Sequence, residues 1–177
     1  MATLKRFDEA RRRDDNAVIK VVISEKNAQL IWAATAKSGV YRSDDGGRNW
    51  RGFTEEFAEI HTKDADEIFA IALGQSDGKT VVVATGAGLI RSLDNGGHWQ
   101  SLDLIPPSDK IVINDIAVFA GNPERIYYTT NTSFGWTDDG GKTWSSKKLP
   151  SSRRGSALAV DWKNPLVVYL GLQAPPQ

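Results

Sequence analysis

Ser43-Asp44-Asp45-Gly46-Gly47-Arg48-Asn49-Trp50 is the first of three copies of one pattern. Ser92-Leu93-Asp94-Asn95-Gly96-Gly97-His98-Trp99 and Thr137-Asp138-Asp139-Gly140-Gly141-Lys142-Thr143-Trp144 are the others. All keep a hydroxyl, an Asp two residues on, Gly at the fourth step and Trp at the seventh. The copies lie 49 and then 45 residues apart, a period that points to a repeat architecture. Each follows a short β-like run (residues 39–42, 88–91 and 134–136) and leads into another that opens with the Trp. Asp, Asn and Gly suit the tight turn of a hairpin. The carboxylate and hydroxyl accept hydrogen bonds from the turn's backbone N–H groups. The Gly at the fourth step takes the left-handed conformation. The Trp buries a large ring and pins the turn to the sheet. One copy alone would read as a tight turn with a chance Trp; three in register do not.

The pattern resembles the Asp-box, or BNR repeat, and matches it at every defining position: Ser43, Asp45, Gly47 and Trp50; Ser92, Asp94, Gly96 and Trp99; Thr137, Asp139, Gly141 and Trp144. Asp-boxes occur in sialidases, xyloglucan-cleaving glycosidases, sortilin receptors and photosystem II assembly factors of the Ycf48 type. All of these are β-propellers, and the resemblance implies an all-β propeller of four-stranded antiparallel blades here. It also implies that the box lies on the outer rim, away from the central face where ligands bind. It therefore marks architecture and is a poor guide to function.

Around the boxes the blades can be counted. Residues 17–23, 30–35, 39–42 and 50–53 read as the four strands of a first blade (about 17–60). The quartet returns at 68–73, 80–85, 89–91 and 99–102 (blade 61–108), and at 113–119, 125–130, 134–136 and 144–147 (blade 109–152). The first two strands of each unit are nearly continuous apolar runs, as expected of strands covered on both faces. Turn residues separate them, as at Ser76-Asp77-Gly78 and Asn122-Pro123. A fourth unit (153–177) has only its first two strands, at 156–162 and 166–172. Residues 1–16 form a charged tail without apolar period. Residues 55–67 form a longer acidic connector with room for a helical turn.

About three and a half blades do not close the ring familiar from this family, which takes typically four to eight. The count predicts a bare β-edge and uncovered apolar blade faces, which invite pairing with another chain. Two explanations stand: a fragment of a roughly 300-residue protein at ~45 residues per blade, or completion by a protein partner or by a second copy. Two copies would supply seven blades' worth of strands.

The 177 residues are 40% hydrophobic and 25% charged, with 22 basic and 22 acidic side chains and no cysteine. Balanced charge supplies no global field for nucleic acid or an anionic membrane. The absence of cysteine excludes disulfides and thiol chemistry. No apolar run approaches the ~20 residues of a membrane span. The charged start has no apolar signal core, so the expected compartment is the cytoplasm, or the exterior if a signal peptide was removed.

Candidates for chemistry are few. Asp115 and Asp161 lie on the first strands of successive blades, where a propeller's central cleft is lined. Xyloglucan-cleaving relatives place their catalytic carboxylates around that cleft, where an acid and a base must face one bond. Asp115 opens its strand and Asp161 closes its own, so both also read as strand-end polar residues. A sialidase needs three convergent arginines and a Tyr–Glu pair. Here Arg42 and Arg91 precede equivalent boxes, and Tyr41, Tyr127, Tyr128 and Tyr169 read as packing residues. His61 and His98 stand apart, whereas zinc needs three or four convergent ligands. Asp44-Asp45 and Asp138-Asp139 lack the alternating ligands and terminal Glu of a calcium loop. The basic run containing Lys147, Lys148, Arg153 and Arg154, read as a loop after the third blade, suits an acidic partner or a solvated loop. No cofactor is expected. The reading is a non-catalytic protein-binding, scaffold or assembly-factor module; the alternative is a piece of a carbohydrate-active or glycan-binding propeller.

Overall fold

Short apolar runs separated by Asn-, Asp- and Gly-rich turns have too few residues between them for crossover connections, so successive strands pair antiparallel. A computed structural model, describing residues 17–60, 64–104 and 111–174, shows this arrangement. Strands β1 (Val18–Ile23), β2 (Ile31–Thr35), β3 (Val40–Ser43) and β4 (Arg51–Gly52) form one sheet in sequence order. Helix α1 (Thr54–Ile60) follows, with the Phe57 side chain buried under the sheet. β5 (Ile68–Leu73), β6 (Val81–Thr85), β7 (Gly88–Ser92) and β8 (Gln100–Leu102) form the second sheet. β9 (Ile113–Val118), β10 (Ile126–Thr130), β11 (Ser133–Thr137) and β12 (Ser145–Lys148) form the third. β13 (Arg154–Val160) and β14 (Val168–Gln173) pair as a half-blade. These are propeller blades, three whole and one half among the described residues. The expected 1–16 tail and His61 lie outside those residues.

Strands β1, β5, β9 and β13 neighbour one another in turn and line the centre. Each carries an irregularity at the same register position: between Val18 and Lys20, between Ile68 and Ala70, opposite Thr129/Thr130 in β9, and between Gly155 and Ala157. A bulge bends and twists its strand, so four in register give every blade the same pitch. They also put Lys20, Ala70, Asp115 and Ala157 in one column.

Two apolar layers hold the blades. Trp32, Phe53, Phe57, Ile71, Val83 and neighbours pack between the first and second sheets. Leu89, Leu102, Ile113, Ile116, Tyr128 and neighbours pack between the second and third. The prediction that the first two strands of every unit are covered on both faces holds for the interior and fails at the ends. β6 and β10 are wholly buried, whereas Val18, Ile19, Val21 and Ile23 of β1 are exposed. In the half-blade Trp162, Leu166 and Tyr169 are exposed at 69%, 84% and 62%. Tyr169, expected as a packing residue, stands at the position of Trp32, Val82 and Tyr127, which face the next blade, and among the described residues no further blade covers it.

Candidate functional site: the repeat turns and the cleft on the third blade

The three repeat turns are built alike. The Ser43 hydroxyl donates to Asp45 Oδ1 (2.8 Å) and accepts the Gly47 N–H (2.8 Å). Asp45 Oδ1 also accepts the Arg48 and Asn49 N–H groups, both at 2.9 Å. Ser92 and Asp94 repeat this with Gly96 and His98, and Thr137 and Asp139 with Gly141 and Thr143. The glycines at the fourth step have φ of 89°, 84° and 94°. The residue before each is also left-handed, and in the second copy Asn95 takes that place at 58°.

Amide and hydroxyl donors around a carboxylate stabilise its charged form. The Asn49 backbone N–H, then its side chain and Ser43, bring Asp45 down to about 2. The His98 side chain, then its N–H, bring Asp94 down to about 2. Thr143 and Thr137 hold Asp139 still lower. Neighbouring Asp44 and Asp138 pair with Arg42 and Arg125. The turn oxygens are thus engaged by protein donors.

All three turns are fastened within their blades, and the second and third also to the blade before. Within its blade, the Gly46, Asn95 and Gly140 N–H groups donate to the Gln29, Lys79 and Glu124 carbonyls, each two residues before a second strand. Beyond its blade, the turn leans on the preceding one. A Cβ on Gly96 would lie 2.7 Å from Phe53 and 2.9 Å from Trp32. Trp99 meets Trp32, Phe53 and Phe57 with ring centroids 5.9, 5.8 and 4.9 Å apart. The Arg42 guanidinium donates to the Asn95 carbonyl. One blade on, a Cβ on Gly141 would lie 3.0 Å from Leu102, Arg91 lies against Gly140, and Trp144 packs on the layer that contains Val82 and Leu102. The Trp was expected to pin the turn to its own sheet; it also locks the turn to the blade before.

Register identifies the residues of these sockets. Trp32, Val82 and Tyr127 pair with Arg42, Arg91 and Trp136, respectively, one residue before each hydroxyl. Phe53, Leu102 and Lys147 stand opposite Val40, Leu89 and Phe134. On the third blade this set lines a cleft of about 210 Å³, completed by Pro165, Leu166 and Val168 of the half-blade. Tyr127, Phe134 and Trp136 form a row with centroids 5.9 and 5.7 Å apart, and the Lys147 ammonium stands 5.7 Å over Trp136. The Tyr127 hydroxyl donates to the Pro165 carbonyl at 2.6 Å.

The carboxylates singled out in the sequence are not brought together. Buried Asp115 takes the Lys20 ammonium at 2.8 Å on Oδ1 and the Leu158 N–H at 2.8 Å on Oδ2. It thereby ties the first, third and fourth units at the centre. Asp161 caps the β13–β14 turn by accepting the Lys163 and Asn164 N–H groups. The basic run is not one loop: Lys147 and Lys148 lie on β12, and Arg154 opens β13, where it donates to Gln173. Lys148 and Arg153 are exposed. His98 pairs with Asp94 at 2.6 Å on the surface. Sequence reasoning named Lys147 but missed Lys20 and the aromatic and half-blade residues of the cleft. Counting back from each hydroxyl would have found Trp136, which breaks the Arg42–Arg91 series.

Solved propellers share this fold. YCF48 from Cyanidioschyzon merolae superimposes with a TM-score of 0.65 at 15% identity, over 85% of this chain and 49% of that one. An ancestral GH74 enzyme gives 0.71 at 20% identity, over 89% of this chain and 22% of that one. YCF48 bound to D1 peptide gives 0.62 at 14% identity, over 84% and 46%. The chain spans about half the length of YCF48 and less than a quarter of the GH74 enzyme. No protein-family model and no curated protein matches the sequence. The fold defines the class: a β-propeller. Both non-enzymatic and glycosidase propellers are similar to it. Among the described residues no helix is long and apolar enough to cross a membrane.

Proposed function

We propose that the chain is an Asp-box propeller segment that works as a non-catalytic protein-binding, scaffold or assembly module in the cytoplasm. The observation that carries this reading is the aromatic and aliphatic surface formed by Phe134, Trp136, Pro165 and Leu166 around the cleft. Exposed apolar patches with aromatic anchors are where proteins dock. YCF48 in complex with a D1 peptide supports a propeller of this shape as a holder of polypeptide. At the centre, the Asp115 carboxylate is engaged by Lys20 and a backbone amide, which suits a structural role.

The test is a photo-crosslinking residue in place of exposed Leu166, with hydrolysis of xyloglucan oligosaccharides and sialosides assayed in parallel. The reading expects a discrete crosslinked complex and no turnover. Reproducible turnover sinks it. A second reading, a segment of a carbohydrate-active propeller, draws on the Tyr127–Phe134–Trp136 row, since ring faces also stack on sugars. Saturable oligosaccharide binding lost in Trp136→Ala would favour it.

A further inference from the structure

Arg91 breaks the charge pattern of the repeats. In the first blade the Arg42 guanidinium donates from Nε and Nη2 to Asp44 Oδ2, at 3.1 and 2.7 Å, and from Nη1 to the Asn95 carbonyl. Asp44 is the second residue of its turn. In the third turn Asp138 stands there and pairs with Arg125. In the second turn that residue is Leu93, so the cation is kept and its anion is not. Arg91 holds the place of Arg42 in the sheet, pairing with Val82 and Gln100 as Arg42 pairs with Trp32 and Arg51. It is 6% exposed, and among the described residues its Nε and Nη1 have no hydrogen-bond partner. Glu124 reaches the same glycine, Gly140, that Nη1 lies against, yet forms no ion pair with it. Asp94 is taken up by Ser92 and His98.

A buried charge without its counter-charge is costly, and this one faces a cavity. Arg91 lines a pocket of about 160 Å³ with Leu93, Asp94, His98, Trp99 and Gln100. All six belong to the second blade, so neither end of the chain shapes the pocket. Leu93 and the Trp99 ring give it apolar walls. Its size suits a ligand of a few heavy atoms, being well under the ~300 Å³ of ordinary small-molecule sites.

We propose that this pocket binds a small monocarboxylate with a short apolar tail. The carboxylate accepts from Arg91 Nε as Asp44 Oδ2 accepts from Arg42 Nε, and the tail lies against Leu93 and Trp99. A carboxylate matches the guanidinium fork. A phosphate dianion suits the pocket less well, because it would set a second negative charge against Asp94. Asp94 keeps its own charge, since the His98 side chain and then its N–H bring it down to about 2. The site lies apart from the cleft on the third blade, and the inference stands whether or not that cleft holds protein.

The test titrates the whole chain with sodium butyrate at constant ionic strength, following the NMR signals of the Arg91 Nε–H and the Trp99 indole N–H. Both should shift and saturate with a Kd of about 1 mM or tighter. Sodium phosphate should bind at least ~10-fold more weakly. Arg91→Met should abolish the indole response. Leu93→Asp keeps the cation and supplies its anion from within, as the first turn does. In that variant the Arg91 Nε–H should be protected without butyrate, and butyrate should bind at least ~10-fold more weakly. Should Arg91→Met fail to fold, Leu93→Asp decides alone, because it replaces a side chain that is already half-exposed. Butyrate binding undiminished in either folded variant overturns the inference, as does the lack of a saturable shift in the parent. Phosphate binding as tightly as butyrate overturns the assignment to carboxylates.

Discussion

Lys20 and Asp115 occupy the same register position on inner strands two blades apart, and their Nζ and Oδ1 atoms meet at 2.8 Å. The pair is asymmetric. Asp115 is buried and also receives the Leu158 amide, whereas the Lys20 side chain is one-third exposed. Asp115→Ala therefore leaves an amide and an ammonium without their acceptor and should cost about 2–3 kcal/mol. Lys20→Met should cost about 0–1 kcal/mol, as half-solvated pairs do. Urea unfolding of both variants is the check; equal losses would remove the asymmetry.

Trp99 closes the first interblade layer. Trp99→Ala should cost about 3 kcal/mol, the low end for an aromatic because the ring is only partly buried. Gly96→Ala should also destabilise, since φ is 84° and the added methyl meets Phe53 and Trp32. Thermal melts of each variant unchanged from the parent would refute the locked-turn account.

Acid should withdraw the stabilisation that the turn carboxylates supply. Asp45 and Asp94 titrate near 2 when folded and near 4 when unfolded. Their stabilisation is complete above about pH 5 and is lost as pH falls toward 2, where the unfolded chain has taken up the protons. Tm measured from pH 6 to pH 2 should fall through that window, and Asp94→Asn should flatten the slope. A Tm indifferent to pH there would contradict the carboxylate geometry.

Arg91 is buried and among the described residues its Nε and Nη1 lack hydrogen-bond partners, whereas Arg42, its counterpart one blade earlier, donates to Asp44 and to the Asn95 carbonyl. Replacing a buried, under-satisfied cation by an apolar chain of similar length is often neutral or stabilising. Arg91→Met should leave Tm unchanged or raise it, and Arg42→Met should lower it. A large loss in Arg91→Met would overturn this.

The blades were legible because hydroxyl, Asp, Gly and Trp each have one role in the turn and recur in register. The strands flanking residues 43–50, 92–99 and 137–144 followed from that within a residue or two. The Lys20–Asp115 pair was not legible. A bulge adds one residue without interrupting an apolar run such as 18–23, so nothing local shows which side chain turns toward the centre. The cleft was hidden for a related reason. Tyr127, Trp136 and Lys147 read as an ordinary strand aromatic, another aromatic and part of a basic run until pairing aligns them with Trp32, Arg42 and Phe53. Helix α1 takes up the first part of the 55–67 connector, to Ile60, because Phe57 finds the Trp99 ring, a contact between segments 42 residues apart.

The second and third turns each reach back to the blade before them. On a ribosome each socket therefore emerges ahead of the turn that fills it, so a growing chain adds blades to a surface already made. The order of synthesis and the order of docking coincide, and a nascent chain stalled between the two leaves its newest socket open to chaperones.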